Sequence, residues 1–200
     1  MLRDAHPGGV RALYIMGENP MLTDPNLNHA RRSLRRLDLL VVQDIFPTET
    51  SAFADVILPG TAFAEKNGTF VNSDRRVSRV RKAVDPPGSA RQDWKIIRDL
   101  ARRMGHPMPA YDHESQIFDE IARVIPFMAG IAYHRIDREG LQWPCPTDTH
   151  PGTPTLFLDR FNTPGGRAIL HPVTYAEQTE RANEDYPFLL NTGRILYQYH

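Results

Sequence analysis

Three short apolar runs constrain this 200-residue chain more than any other feature: Val10–Met16 (VRALYIM), Leu39–Val42 (LLVV) and Asp55–Leu58 (DVIL). Each is rich in strand formers and ends in polar or Gly/Pro punctuation. Unbroken apolar character marks strands covered on both faces, which are usually parallel. Between the first two runs lies a helical pattern. Thr23 or Asp24 offers an N-cap, Pro25 suits the first helical position, and Leu27, Ala30, Leu34 and Leu37 recur at helical spacing. Arg31, Arg32, Arg35 and Arg36 form the opposite, solvated face. The order strand, helix, strand, short helix, strand predicts βαβ units, and hence an α/β fold with a parallel sheet.

Such sheets bind ligands beyond the carboxyl ends of their strands. Here those ends are GENPMLTD (17–24), QDIFPTET (43–50) and PGTAFAEKNGTF (59–70). Further on, residues 71–84 read as extended and basic, and Asp85-Pro86-Pro87-Gly88 is a break. Helices are predicted over Asp93–Met104, with Trp94, Ile97, Leu100 and Ala101 on one face, and over Ser115–Val124, where Pro126 ends the pattern. Residues 106–113 read as a linker and the proline-rich stretch 141–154 as irregular coil. Short strands are predicted at Thr155–Leu158 and Arg167–Leu170 around the FNTPGG turn, and a new strand at Tyr186–Leu190. The chain stops just after that strand, in NTGRILYQYH, so both ends are expected to be cuts through a larger protein.

Composition excludes several classes. Lys+Arg and Asp+Glu are equal at 24 each, so no global basic field points to nucleic acid. No run approaches the roughly 18 apolar residues of a membrane span. The first residues lack a secretory pattern and one cysteine forms no internal disulfide, which together predict a cytoplasmic setting. Charge is uneven: residues 71–103 hold ten basic against four acidic side chains, and 104–200 seven against twelve. The basic middle is expected to face an anion.

Catalysis by this chain's own residues is poorly supported. Cys145 lies between two prolines without a second cysteine, the eight histidines make no HxxxH pair, and no Gly-x-Ser-x-Gly elbow occurs. Ligand binding is better supported. After a buried strand, Gly17 lets backbone N–H groups approach a ligand, with Glu18 and Asn19 as acceptor and donor, although a plain turn uses the same residues. Gln43-Asp44 at the next strand end suits a ribose or purine edge, or a cap. Lys66-Asn67-Gly68-Thr69 and Arg75-Arg76 suit anionic charge, or a solvated basic face.

These segments also carry a resemblance. YIMGENPMLTDPNLNHARRSL, LLVVQDIFPTETSAFADVILP and AEKNGTFVNSDRRVSRVRKAVDPPGSARQDWKII, followed by LQWPCP and NTGRILYQYH, closely resemble catalytic subunits of molybdenum-dependent formate dehydrogenases. These belong to the dimethyl sulfoxide reductase (molybdopterin oxidoreductase) family, which binds a bis-molybdopterin guanine dinucleotide. The likeness implies part of a parallel-sheet dinucleotide-binding domain over residues 1–105 and an irregular α+β connecting region over 106–184. The first strand of a truncated C-terminal β-barrel-like domain would occupy 185–200.

The resemblance also implies site residues. Gly17, Glu18, Asn19 and Thr23 match the loop that wraps one guanine dinucleotide. Gln43 and Asp44 match the strand-end pair reading that nucleotide, Asp93 an aspartate that contacts the guanine, and Gly60 and Thr61 a loop near the pyrophosphate. Thr192, Gly193, Arg194, Gln198 and His200 match a loop that meets the second pterin. Asn19 stands where some relatives carry aspartate. The family's metal-ligating cysteine or selenocysteine, its histidine and arginine, and its four cluster cysteines match no position here, so no residue is assigned to catalysis or to the metal. The implied parent oxidises formate, carries molybdenum or tungsten and an iron–sulfur cluster, and works with electron-transfer subunits that are iron–sulfur or NAD-linked. Neither nucleic acid nor a membrane span is implied. A nitrate reductase-like enzyme and a non-catalytic cofactor-binding protein are the alternatives.

Overall fold

A computed structural model describes residues 9–106, 108–177, 181–191 and 193. The chain divides into two compact units, Met1–Leu156 and Phe157–His200.

The first unit opens with the expected parallel sheet. Strands β1 (Ala12–Met16), β2 (Leu39–Asp44) and β3 (Val56–Pro59) lie in the order β1-β2-β3, with Tyr14 opposite Val41, Met16 opposite Gln43 and Gln43 opposite Leu58. Asp55 ties the start of β3 to β2 twice: its carboxylate accepts from the Leu40 N–H (2.7 Å) and its own N–H donates to the Leu40 carbonyl (2.9 Å).

Helix initiation differs from expectation by two or three residues. A four-residue helix α1 (Pro20–Thr23) takes Pro20 at its first position, and the main helix α2 (Leu27–Leu34) starts from Asn26. Asn26 Oδ1 accepts from the His29 N–H (3.0 Å), while Asp24 Oδ1 accepts from the Asn26 N–H (2.8 Å). The second aspartate-type turn pushes the cap two residues beyond Asp24 and leaves Pro25 outside the helix.

Met21, Ala30, Leu34, Leu40 and Val42 form the core on one face of the sheet, with Leu13, Ile15 and Leu37 packed against it. The other face is open, contrary to the two-sided burial expected from LLVV. Leu39 is 42% exposed and Met16 48%. Tyr14, Met16, Leu39 and Val41 instead line one wall of an apolar groove of about 680 Å³, opposite Ile97 and Leu100 of helix α3 (Asp93–Arg103) and its C-cap Met104.

The rest of this unit is antiparallel. β4 (Gly68–Val71) pairs with β5 (Arg76–Val80), which pairs with the two-residue β6 (Leu141–Gln142). β5 fulfils the extended reading of residues 71–84. β4 emerges inside what read as a loop, because Thr69, Phe70 and Val71 are strand formers once β5 accepts their backbone hydrogen bonds. Helix α4 (Glu114–Val124) packs Phe118 into a second core with Val77, Met128, Ile131, Ile136 and Cys145. Residues 143–154 are irregular, as expected.

In the second unit the FNTPGG turn closes through Gly166 N–H to Thr163 carbonyl (2.9 Å) and Phe161 N–H to Gly166 carbonyl (3.0 Å). The predicted strands at Thr155–Leu158, Arg167–Leu170 and Tyr186–Leu190 do not form, and no barrel closes among the described residues. An isolated strand leaves its backbone donors and acceptors unpaired, so hydrophobic pattern alone does not make one. Leu170, Val173, Phe188 and Leu190 are accordingly exposed.

Candidate functional site

The polar loops gather at the carboxyl edge of the parallel sheet. Gly17, in the left-handed region (φ 65°), ends β1 and donates its N–H to the Gln43 carbonyl (2.9 Å). A side chain there would be strained, and the turn it makes throws Glu18 into solvent. Asn19 is held inward: its Oδ1 accepts from the Thr50 N–H (3.2 Å) and hydroxyl (2.6 Å). Its Nδ2 donates to Glu49 (2.6 Å), which holds that carboxyl below the usual range. Thr50, fully buried, also accepts from the Met21 N–H (3.1 Å) through its hydroxyl. The loops after β1 and β2 are thus tied together by one amide and one hydroxyl. Thr23 donates to the Asn19 carbonyl (3.2 Å) and closes the short helix.

At the end of β2, Asp44 turns its carboxylate back onto the N–H of Ile45 (2.7 Å), an aspartate turn that shapes the following loop. Its carbonyl accepts from the Gly60 N–H (2.9 Å), which docks the end of β3. Gly60 in turn forms a parallel bridge with Arg91, whose N–H reaches the Pro59 carbonyl (3.0 Å). That bridge delivers Asp93, the first residue of α3, to the strand ends. A Cβ on Gly60 would stand 2.8 Å from Asp93 Oδ1, so a side chain there would push the carboxylate from its present place.

Asp93 is the centre of the cluster. Its Oδ1 accepts from Gln43 Nε2 (2.7 Å) and its Oδ2 from Lys66 Nζ (2.6 Å). Gln43, fully buried, receives the Tyr14 hydroxyl on its Oε1. Burial, and secondarily the Asp93 charge, raise the Tyr14 pKa above its ordinary value, so the phenol keeps its proton at neutral pH. Beside Gly60, the Thr61 hydroxyl is buried (1% exposed) and has no hydrogen-bond partner among the described residues. Lys66, Asp93, Trp94 and Tyr133 line a cavity of about 230 Å³.

Of the residues singled out from sequence, Gly17, Gln43, Asp44, Gly60 and Asp93 are linked by the contacts above, Asn19 is tied instead to Thr50 and Glu49, Thr61 lies beside Gly60, Glu18 sits on the exposed loop and Thr23 is exposed at the end of α1. Gly193 is exposed and outside regular structure, while Thr192, Arg194, Gln198 and His200 lie outside the described residues. Three participants escaped sequence reasoning: Tyr14, Glu49 and Thr50. Tyr14 reads as an ordinary strand aromatic, and nothing local in PTET separates Thr50 from Thr48. The basic middle segment does not face an open anion site as expected. Arg75 donates to the carbonyls of Trp143, Thr153 and Pro154, Arg76 to that of Gly140, and Arg79 and Arg81 pair with Asp137. No group of three or more His, Cys, Asp or Glu arranged to hold a metal occurs among the described residues. No helix among them is long and apolar enough to cross a membrane.

The chain is 47% identical over 192 residues to F420-dependent formate dehydrogenase 1 subunit alpha of Methanococcus maripaludis. It is 49% identical over 192 residues to the corresponding alpha subunit of Methanocaldococcus jannaschii. Each match covers 96% of this chain and 28% of the relative, so the chain spans little more than a quarter of their length. Acetylene hydratase from Pelobacter acetylenicus shares the fold at a TM-score of 0.53 and 23% identity, covering 65% of this chain and 18% of that one. The molybdopterin oxidoreductase family model matches residues 1–103, the stretch that holds the parallel sheet, Lys66 and Asp93. On that match, which covers more than half of its length, this chain belongs to the molybdopterin oxidoreductase family.

Proposed function

We propose that this chain is part of the catalytic subunit of a molybdopterin-dependent formate dehydrogenase. Its task there is to hold a molybdopterin guanine dinucleotide by the nucleotide end. The parent reaction converts formate to carbon dioxide, a proton and two electrons, which pass on through iron–sulfur centres to electron-transfer subunits. The observation that carries this reading is near-half identity, along almost the whole chain, to alpha subunits named as formate dehydrogenases. That observation also favours formate oxidation over a nitrate reductase-like activity.

The residues present fit such a group. A carboxylate at a helix start, a glycine that a Cβ would fill and an unpartnered buried hydroxyl meet at one sheet edge. Asp93 would accept N–H donors from the base edge, with Gln43 and Asp44 beside it. Gly17, Glu18, Asn19 and Thr23 would line the nucleotide, and Gly60 and Thr61 the diphosphate, to which Thr61 would donate its free proton. By resemblance, Thr192, Gly193, Arg194, Gln198 and His200 would meet the second pterin. When bound, the group, with molybdenum or tungsten, supplies the two-electron redox chemistry. The chain supplies orientation and charge balance. A cytoplasmic location completes the reading.

The test uses the full catalytic subunit, of which this chain would be a part, carrying Asp93→Ala. Bound molybdenum or tungsten and acid-released guanine nucleotide are expected to fall at least tenfold, and formate-dependent reduction of a viologen dye to fall in proportion, with the circular dichroism spectrum unchanged. Full retention of guanine nucleotide would remove Asp93 from the nucleotide site. A wild-type protein replete in cofactor that reduces nitrate and leaves formate untouched would overturn formate as the substrate.

A further inference from the structure

Tyr14 and Lys66 fall outside the resemblance's binding residues, yet both terminate the chain of contacts that ends on Asp93. Tyr14 and Gln43 sit on the same sheet face, two register positions apart: Tyr14 is opposite Val41 and Met16 opposite Gln43. Gln43 is fully buried, so water does not satisfy its amide. The amide has two orientations of nearly equal shape. In one, Nε2 donates to Asp93 and Oε1 receives the Tyr14 hydroxyl proton. In the other, two acceptors face each other at Asp93, while the Tyr14 hydroxyl, which both donates and accepts, can meet either end of the amide. The Asp93 carboxylate, an acceptor only, selects the first orientation, and the Tyr14 hydroxyl completes it by donating to the amide oxygen. On the far side, Lys66 occupies Oδ2 of Asp93 at 2.6 Å, with both side chains about one-third exposed. A carboxylate has roughly four acceptor positions. Gln43 and Lys66 take one on each oxygen and so fix the plane of the remaining two.

We propose that Tyr14 and Lys66 are positioning residues that, through Gln43 in the first case and directly in the second, hold the Asp93 carboxylate in the plane required by a base edge with two adjacent N–H donors. This rests on the reading of Asp93 as the base contact. Neither residue touches the ligand. Tyr14 anchors the Gln43 amide through its oxygen and so holds Nε2 against Asp93, and Lys66 balances the carboxylate charge while a neutral base edge takes the outward lone pairs.

The experiment uses the protein produced in a host that makes no molybdopterin. Guanosine is the probe and adenosine the control, so no phosphate titrates, and binding is followed by saturation-transfer NMR between pH 5.5 and 8. Tyr14→Phe and Lys66→Met are each expected to weaken guanosine binding about tenfold without a matching change for adenosine, and Lys66→Arg to restore it. Gln43→Glu sets two carboxyls in contact, so its guanosine affinity is expected to rise as pH falls and one proton comes to be shared, whereas the unaltered protein stays flat. Asp93→Ala separates the two levels of the argument. If it abolishes guanosine binding while Tyr14→Phe and Lys66→Met leave binding unchanged, the positioning roles are wrong. If it leaves guanosine binding unchanged, the reading of Asp93 itself is wrong. Cofactor content in a molybdopterin-producing host is expected to follow the same order of variants.

Discussion

The two halves of the first unit solve the same packing problem differently. The parallel half buries one face of regular strands against one regular helix, through Leu40 and Val42 against Ala30 and Leu34. The antiparallel half buries Ile131, Ile136 and Cys145, which lie outside its strands and α-helices, so its backbone needs other partners. Arginine supplies them. Arg135 donates to the carbonyls of Gly130, Thr147 (3.2 Å) and His150 (2.7 Å), while Arg75 reaches those of Trp143, Thr153 (3.0 Å) and Pro154 (3.0 Å). A planar guanidinium with five donors gathers several carbonyls that a ladder would otherwise satisfy. Regular structure leaves the strand ends free for polar loops, and so the candidate site belongs to the parallel half. Irregular structure consumes its polar groups internally.

The contrast is open to attack from both sides. The largest effect is expected from Leu40→Ala, which empties a fully buried position in the parallel half and costs about 3 kcal/mol. Chemical denaturation of the purified protein measures the loss, and hydrogen exchange is expected to show it first in β1 and β2. Arg135→Lys retains charge but loses the fork, and is expected to cost about 2 kcal/mol by leaving carbonyls around Cys145 unpaired. Trp143 reports on that half, since it lies against Phe127 with ring centroids 4.9 Å apart. Its fluorescence, read in a Trp94→Phe background, should shift to lower denaturant while exchange in β1 and β2 is unchanged. Equal loosening of both halves would show that the two cores do not differ in this way.

The smallest effect is a pH dependence. Burial, then the Glu114 charge, push the Tyr133 phenol up to about 12, above its ordinary 10. The folded state thus prefers the neutral phenol. Its contribution is fully present below pH 10 and declines as pH rises from 10 towards 12. Tyr133→Phe is expected to flatten the alkaline fall in the denaturation midpoint over that window. An identical fall in both proteins would place the titration elsewhere.

Legibility followed the same division. β1, β2, β3 and helices α2, α3 and α4 stand within a few residues of where periodicity and punctuation put them, because their partners are near in sequence and their pattern repeats. β4 and β6 were not visible, since a four-residue and a two-residue strand exist only through β5. Strand-like patterns at Arg167–Leu170 and Tyr186–Leu190 failed for the converse reason: pattern without a pairing neighbour is not a strand. At the site, Gln43 and Asp44 were legible as polar residues closing an apolar run. Thr50 and Tyr14 were not, because each acts through a side chain about thirty residues away. Arg75 and Arg76 were legible as charge but not as partners for carbonyls, a distinction that only the fold around Trp143 and Gly140 makes.

Gly60 joins these themes. Its backbone is not in the left-handed region, so nothing in its own conformation demands glycine. The demand comes from the Asp93 carboxylate, whose Oδ1 lies 2.8 Å from where a Cβ would stand. The two positions are therefore coupled in variation: position 60 can acquire a side chain only where position 93 gives up or withdraws its carboxylate. A bulkier residue at position 60 would therefore displace the acid from this sheet edge, so that the smallest side chain in the neighbourhood governs where the charge can stand.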